Sequence, residues 1–222
     1  MATYNVRHGR PRRGFTSNRW LARAVARIDA DVLAVQEVER RVVRSWFADQ
    51  RALLAEAAGA TDTAYAPARR LAVLGSDGVA LLVRGRLLDH EVVRFAGRAG
   101  RQDRVAVVAG VEVGGRSLTA VATHLQDEAG EARDQLASLL GALVSRPRPC
   151  VLLGDLNLAT SDVGPACAAA GFTLAGGPPS APAERPFQRI DHIATAGIGI
   201  GTVSVLHLPV SDHRAVVAEL VG

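Results

Sequence analysis

The chain has 222 residues, 48% of them hydrophobic, which suits one large domain with a sizeable core and excludes a disordered chain. Its formal charge is +4 and all 26 basic residues are arginine, so anionic partners are favoured: phosphate esters, nucleic acid or anionic lipid headgroups. The two cysteines, Cys150 and Cys167, supply neither a disulfide framework nor metal-ligand spacing. No charged leader precedes the first strand and no run of about 18 apolar residues could span a bilayer, so a cytoplasmic protein without membrane insertion is expected.

Ala2–Val6 reads as the first strand, with Asn5 near its end. The loop after it, Arg7 to Gly14, is basic and rich in breakers. Asn18 can cap a helix running through Leu21, Ala24, Val25 and Ile28. Val32–Val38 is a strand whose continuous apolar part suggests cover on both faces, with Glu37 near its end and Arg40, Arg41 and Arg44 following. Asp49–Ala58 is a second helix and Tyr65–Leu74 a short strand and loop. Gly78–Val83, Glu91–Phe95 and Val105–Val113 are strands, and Gly114-Gly115 turns the last of these into Ser117–His124.

Glu131–Val144 places Leu136, Leu139, Leu140 and Leu143 on one side of a helix. The apolar run Val151-Leu152-Leu153 then meets Gly154, where the backbone must turn or approach something closely. Asp155 and Asn157 follow with one residue between them, so in extended backbone they point to one face and can reach one target. Asp162–Ala170 reads as a short helix and Gly176–Pro186 as an irregular loop. Strands over Arg189–Ile193, Thr202–Leu208 and Arg214–Val221 complete the chain. Interleaved strands and helices argue for a layered α/β domain over residues 1–222, with mixed sheets.

Polar residues recur at strand ends or starts: Asn5, Glu37, His124, Asp155 with Asn157, Asp191, and Asp212 with His213. Asp191, between Ile190 and His192, needs a partner if it is to be buried cheaply. In order, Thr-Tyr-Asn-Val, Gln-Glu-Val, Gly-Val-Ala-Leu-Leu, Thr-His-Leu, Gly-Asp-Leu-Asn, Ile-Asp-His-Ile and Ser-Asp-His resemble the endonuclease/exonuclease/phosphatase superfamily, from Asn5 to His213. The resemblance implies a deoxyribonuclease I-like four-layer α/β/β/α sandwich of two packed mixed sheets, with the site at one edge. It also implies a metal-dependent phosphoric ester hydrolase that opens a phosphodiester or phosphomonoester by in-line attack of water. The substrate would be nucleic acid, DNA or RNA, or a phosphorylated small molecule. A catalytically silent nucleic-acid-binding module of the same fold is the alternative.

Carried over by residue, the resemblance implies that Glu37 is the principal ligand of Mg2+, with Mn2+ a possible substitute, a hard cation that prefers oxygen. Asn5 would contact the ion or its waters and Asp212 would lie close to it. Asp155 would orient and deprotonate the attacking water, and Asn157 would hold that water or a phosphate oxygen. His213 would face the scissile phosphate with Asp191 accepting its other ring proton, and His124 would be a second donor to the phosphate. One metal or two is left open. Asp77 is a candidate partner for His124, against the plainer reading of a loop aspartate. Gly176–Ser180 stands where many relatives carry an aromatic residue, which speaks against an aromatic clamp there. If Asn5 and Glu37 line the site, the loops bearing Arg7, Arg10 and Arg44 form a basic, substrate-binding rim.

Overall fold

In the computed structural model, which describes residues 1–71, 75–98 and 100–222, the strand Val32–Arg40 feeds two cores at once. Val32 and Ala34 enter an apolar cluster that also holds Val107, Ala122, Leu153 and Ile193. Leu33 and Val35 point the other way, into a cluster with Leu21, Val25 and Leu54. Side chains alternate across a strand, so a continuous apolar run is what a strand covered on both faces requires.

The elements in chain order are β1 (Ala2–Asn5), α1 (Asn18–Val25), β2 (Val32–Arg40), α2 (Gln50–Ala58), β3 (Asp62–Leu71), β4 (Gly75–Val83), β5 (Arg86–Phe95), β6 (Arg104–Val113), β7 (Arg116–His124), α3 (Ala129–Leu143), β8 (Cys150–Asp155), α4 (Thr160–Ala169), β9 (Thr173–Leu174), β10 (Asp191–Ala196), β11 (Gly199–Leu206) and β12 (Ala215–Val221). One sheet runs β11-β12-β1-β2-β4-β3 and the other β5-β6-β7-β8-β10-β9. Each is mixed, with β1 parallel to β2 and β7 parallel to β8. The cluster between the sheets is the central core, α1 and α2 cover the first sheet, and α3 and α4 cover the second. This is the four-layer sandwich that the resemblance implied. Among the described residues no helix is long and apolar enough to cross a membrane.

Several boundaries move for physical reasons. Ser17, not Asn18, caps α1 by accepting from Trp20 N, and Ile28 lies beyond the helix. Asn18 instead turns its side chain to Ser45 O. β5 begins at Arg86, where it pairs with Glu112 of β6; its first half is mostly exposed, so no buried pattern marks it in the sequence. The third strand starts at Asp62, and residues 72–74 of the expected Tyr65–Leu74 segment lie outside the described residues. β4 begins at Gly75, so Asp77 sits in a strand and not in a loop.

Two local features position the site. Glu37 is not near the end of its strand: β2 runs on to Arg40, and a bulge interrupts it. Val35 pairs with Ala80 and Val38 with Gly78, so Gln36 and Glu37 together oppose Val79. Glu37 adopts φ 56 there, and the bulge re-aims its carboxylate. Gly154, by contrast, does not turn the chain. β8 continues through it to Asp155, and an added Cβ would meet Thr123 O at 2.4 Å. The glycine lets β8 and β7 lie close enough for His124 and Asp155 to stand abreast.

Gly154→Ala should therefore cost about 2–3 kcal/mol and lower Tm by roughly 4–12 °C in calorimetry. An unchanged Tm would mean that this approach does not constrain the sheet.

Candidate active site

Three adjacent strands of the second sheet put their polar residues side by side. Asp155 on β8 pairs with His124 on β7 and with Asp191 on β10. The first sheet brings Asn5 from β1, in register with Gln36, next to the bulged Glu37. The two sets meet through one amide: Asn5 Nδ2 donates to Glu37 Oε1 and to Asp155 Oδ2, both at 3.0 Å. Asn5 Oδ1 accepts from Arg7 N at 3.0 Å, so the nitrogen of the amide, not its oxygen, faces the two carboxylates. A cavity of about 290 Å³ opens here, lined among others by Glu37, Asp77, Arg104, His124, Asp155 and His213.

His213 Nδ1 lies 2.9 and 3.1 Å from the two oxygens of fully buried Asp191. Its Nε2 is 3.7 Å from Asp155 Oδ2. Burial pulls the imidazole down, but Asp191 and Asp155 outweigh it and push His213 up to about 10. Burial pushes Asp155 up to about 7 against the pull of His213. The backbone holds this pair in place: His213 N donates to Ser211 Oγ, and Ser211 Oγ donates to Asn5 O.

His124 is built the opposite way. Burial first, then the neighbouring Arg104 guanidinium, lowers it well below its ordinary value. Arg104 Nη1 sits 3.2 Å from His124 Nδ1 and Arg104 Nε donates to Gln126 Oε1 at 3.3 Å. A guanidinium can only donate, so Nδ1 is the acceptor and the ring proton is on Nε2. That nitrogen is 3.5 Å from Asp155 Oδ2. Asp77 is not the partner of His124. It lines the same cavity, stands opposite Glu39 and Arg69 in the sheet, and pairs with Arg69 at 3.5 Å.

Around Glu37 the donors are oxygen and the negative charge is in excess. His8 sets Nε2 3.2 Å from Glu37 Oε2 and Nδ1 3.2 Å from the Glu37 carbonyl, bracketing the bulged residue. Buried Glu39 pairs through one oxygen with Arg44, and its Oε2 has no partner among the described residues. Burial, with Glu37 adding to it, pushes Asp77 up to about 7. Two carboxylates lining one cavity, Glu37 and Asp77, with Asp77 pushed toward its neutral form, fit a hard divalent cation. One ligand atom each from Asp155, Asp191 and His213 also fall within 4.8 Å of one another. Both Asp191 oxygens lie against His213 Nδ1, at 3.1 and 2.9 Å, so that trio reads as a paired histidine beside Asp155.

The remaining expected residues fall as follows. Asn157, at φ 52, donates its backbone N–H to Asp155 Oδ1 and its Nδ2 to Leu125 O. Arg44 lines the cavity. Arg7 turns to Asp212, at 3.3 Å, and neither lines the cavity. Arg10 is exposed and outside it. His8, Glu39 and Arg104 carry no motif that would single them out. An aromatic does stand before Ile190–Ile193: Phe187, 73% exposed, lines a hollow that shares Asp127 and Asn157 with the cavity.

Two face-to-face mixed sheets with carboxylates and histidines gathered at one edge define the deoxyribonuclease I-like class of α/β proteins. The Endonuclease/Exonuclease/phosphatase family model matches residues 2–213, and the chain belongs to that family. Its members are generally phosphoesterase hydrolases, acting on nucleic acid or phosphate-ester substrates and typically using divalent metals. Among solved structures, the chain is similar to the endonuclease/exonuclease/phosphatase from Bacteroides vulgatus, at 16% identity and TM-score 0.79, covering 99% of this chain and 97% of that one. It is similar to the mannosyl-6-phosphatase Bt3783 of Bacteroides thetaiotaomicron, at 17% identity and TM-score 0.74, over 100% and 98% of the two chains. It is also similar to the human Nocturnin catalytic domain, at 17% identity and TM-score 0.73, over 99% and 93%. Among curated proteins none matches.

Removing the Nδ1 donor should free the ring of His124. In nitrogen-15 spectra the native ring should be protonated at Nε2 with Nδ1 bare, and Arg104→Met, which removes a cation that lowers His124, should raise its pKa. A native ring protonated at Nδ1, or an unchanged pKa in the variant, would contradict the assignment of Arg104.

Proposed function

We propose that this protein is a magnesium-dependent phosphoesterase that hydrolyses a phosphodiester or phosphomonoester, in nucleic acid or a phosphorylated small molecule, by in-line attack of water. The observation that carries the reading is the position of Asp155, within reach of Asn5, His124 and His213 at once.

Magnesium, with manganese as a substitute, would be held by Glu37 with Asn5 beside it, and would neutralise phosphate charge and ease deprotonation of water. Asp155 orients the attacking water and takes its proton. Asn157 has spent its Nδ2 on Leu125 O, so its amide oxygen is what it offers that water. On the phosphate, His124 donates from Nε2 while Arg104 holds its other nitrogen. His213 faces the scissile phosphate as the cation, held by Asp191, and adds positive charge where the transition state gains negative charge. Asp212 acts one step back, tying Arg7 to the rim.

Bis(p-nitrophenyl) phosphate with magnesium should be hydrolysed, EDTA should abolish turnover, and Asp155→Ala should lower kcat by about 100- to 10,000-fold. Full activity in Asp155→Ala would overturn the assignment of the base. A native protein that binds nucleic acid and turns over no phosphoester would favour the silent binding module.

A further inference from the structure

Seven residues other than glycine have positive φ among the described residues, and they form two groups. Arg7, His8, Glu37 and Asn157 are at or beside the cavity. Arg41, Trp46 and Phe47 fall in the single loop Arg41–Ala48, at φ 54, 58 and 57. Bulky side chains rarely adopt this conformation, and strain of this kind persists only where surrounding structure holds it. Here it is held firmly: Arg41 N donates to Ala48 O, Trp46 N to Val43 O and Phe47 N to Val42 O, each at 2.9 Å. Asn18 Nδ2 ties Ser45 O to the start of α1.

What this rigid loop presents is aromatic. Trp46 is 79% exposed and Phe47 65% exposed, although aromatic side chains are ordinarily the largest contributors to a core. Between Arg7 and Arg27 the sequence carries seven arginines and no acidic residue, and Arg41–Ala48 adds two more arginines with none. Arg44, inside the loop, lines the cavity. Arg44 is paired with Glu39, but Arg41, Arg12 and Arg13 make no ion pair among the described residues. Bare aromatic faces with such free cations suit a polyanion that has flat apolar groups, which describes a nucleic-acid strand with unpaired bases.

We propose that Arg41–Ala48 is a stacking platform for single-stranded nucleic acid, with Trp46 and Phe47 against bases and Arg41, Arg12 and Arg13 against phosphates. Arg44 leads the strand to the cavity. The proposal rests on the phosphoesterase reading only for what happens to the strand there. An anionic bilayer is the weaker match, because Arg44 and Ser45 interrupt Val43, Trp46 and Phe47, and insertion needs a continuous apolar face.

The chain has only two tryptophans, both exposed, so Trp20→Phe leaves Trp46 as the sole reporter. In EDTA, where no turnover occurs, an oligothymidylate of about 12 nucleotides should quench Trp46 emission without a blue shift. Inorganic polyphosphate should not quench it. Measured by anisotropy of a labelled oligonucleotide, Trp46→Ala and Phe47→Ala should each weaken binding by roughly five- to a hundredfold. Trp46→Asn, which tolerates this backbone, should behave as Trp46→Ala does. No quenching by the oligonucleotide, equal quenching by polyphosphate, or unchanged affinity in the variants would overturn the platform. A blue shift on phosphatidylglycerol vesicles with no response to oligonucleotide would also overturn it, in favour of a membrane surface. Because binding is read without turnover, loss of hydrolysis alone leaves this result standing.

Discussion

The side-chain amide of Asn5 is the interaction on which the site depends. Each sheet on its own offers half of the site: a bulged carboxylate in one, and a row of His124, Asp155 and Asp191 in the other. Buried Asp155 and half-buried Glu37, carboxylates from different sheets, repel each other and gain little from apolar packing. The two N–H groups of one amide, 3.0 Å from each, give both a donor and fix the sheets in register at this edge. The rest of the core between the sheets is built of small and branched apolar side chains that specify spacing and no chemistry.

A second consequence is the division of labour between the two histidines. His124 is buried at the end of β7 and His213 is half-buried in the loop before β12; both lie within 4 Å of Asp155, yet their environments push them apart. His213 has a carboxylate on its far nitrogen and is held as the cation. His124 has a guanidinium there and is held neutral. Opposite neighbours on otherwise similar side chains are how a site keeps a charge and a neutral donor at one pH.

Much of this was legible in the sequence, for identifiable reasons. The isolated charge of Asp191 within Ile190–Ile193 is a local signal that the fold keeps. Asp155 and Asn157 do come together, but not through extended backbone: β8 ends at Asp155, and Asn157, at φ 52, turns back to donate its N–H to Asp155 Oδ1. Glu37 was legible as a candidate carboxylate but not as a bulge residue, because a bulge is defined by the partner strand β4 and leaves no mark in Gln-Glu-Val. Arg104 and His8 were illegible for the same reason: their meaning comes from His124 and Glu37, 20 and 29 residues away. Asp77 read as a loop residue because the apolar run begins only after Gly78, whereas β4 starts at Gly75 and Gly78 lets the backbone of Ala66 approach. Phe187 stands alone between Pro186 and Gln188, so no pattern in the sequence marks it.

Anomalous diffraction from crystals soaked in manganese tests the central claim most directly, that the cation belongs to the Glu37 half of the seam and the Asp191–His213 pair stays a proton-bearing pair. The account predicts a peak within inner-sphere distance of a Glu37 carboxylate oxygen, with His213 still bonded to Asp191. A peak ligated by Asp155, Asp191 and His213, with Glu37 bare, would contradict it.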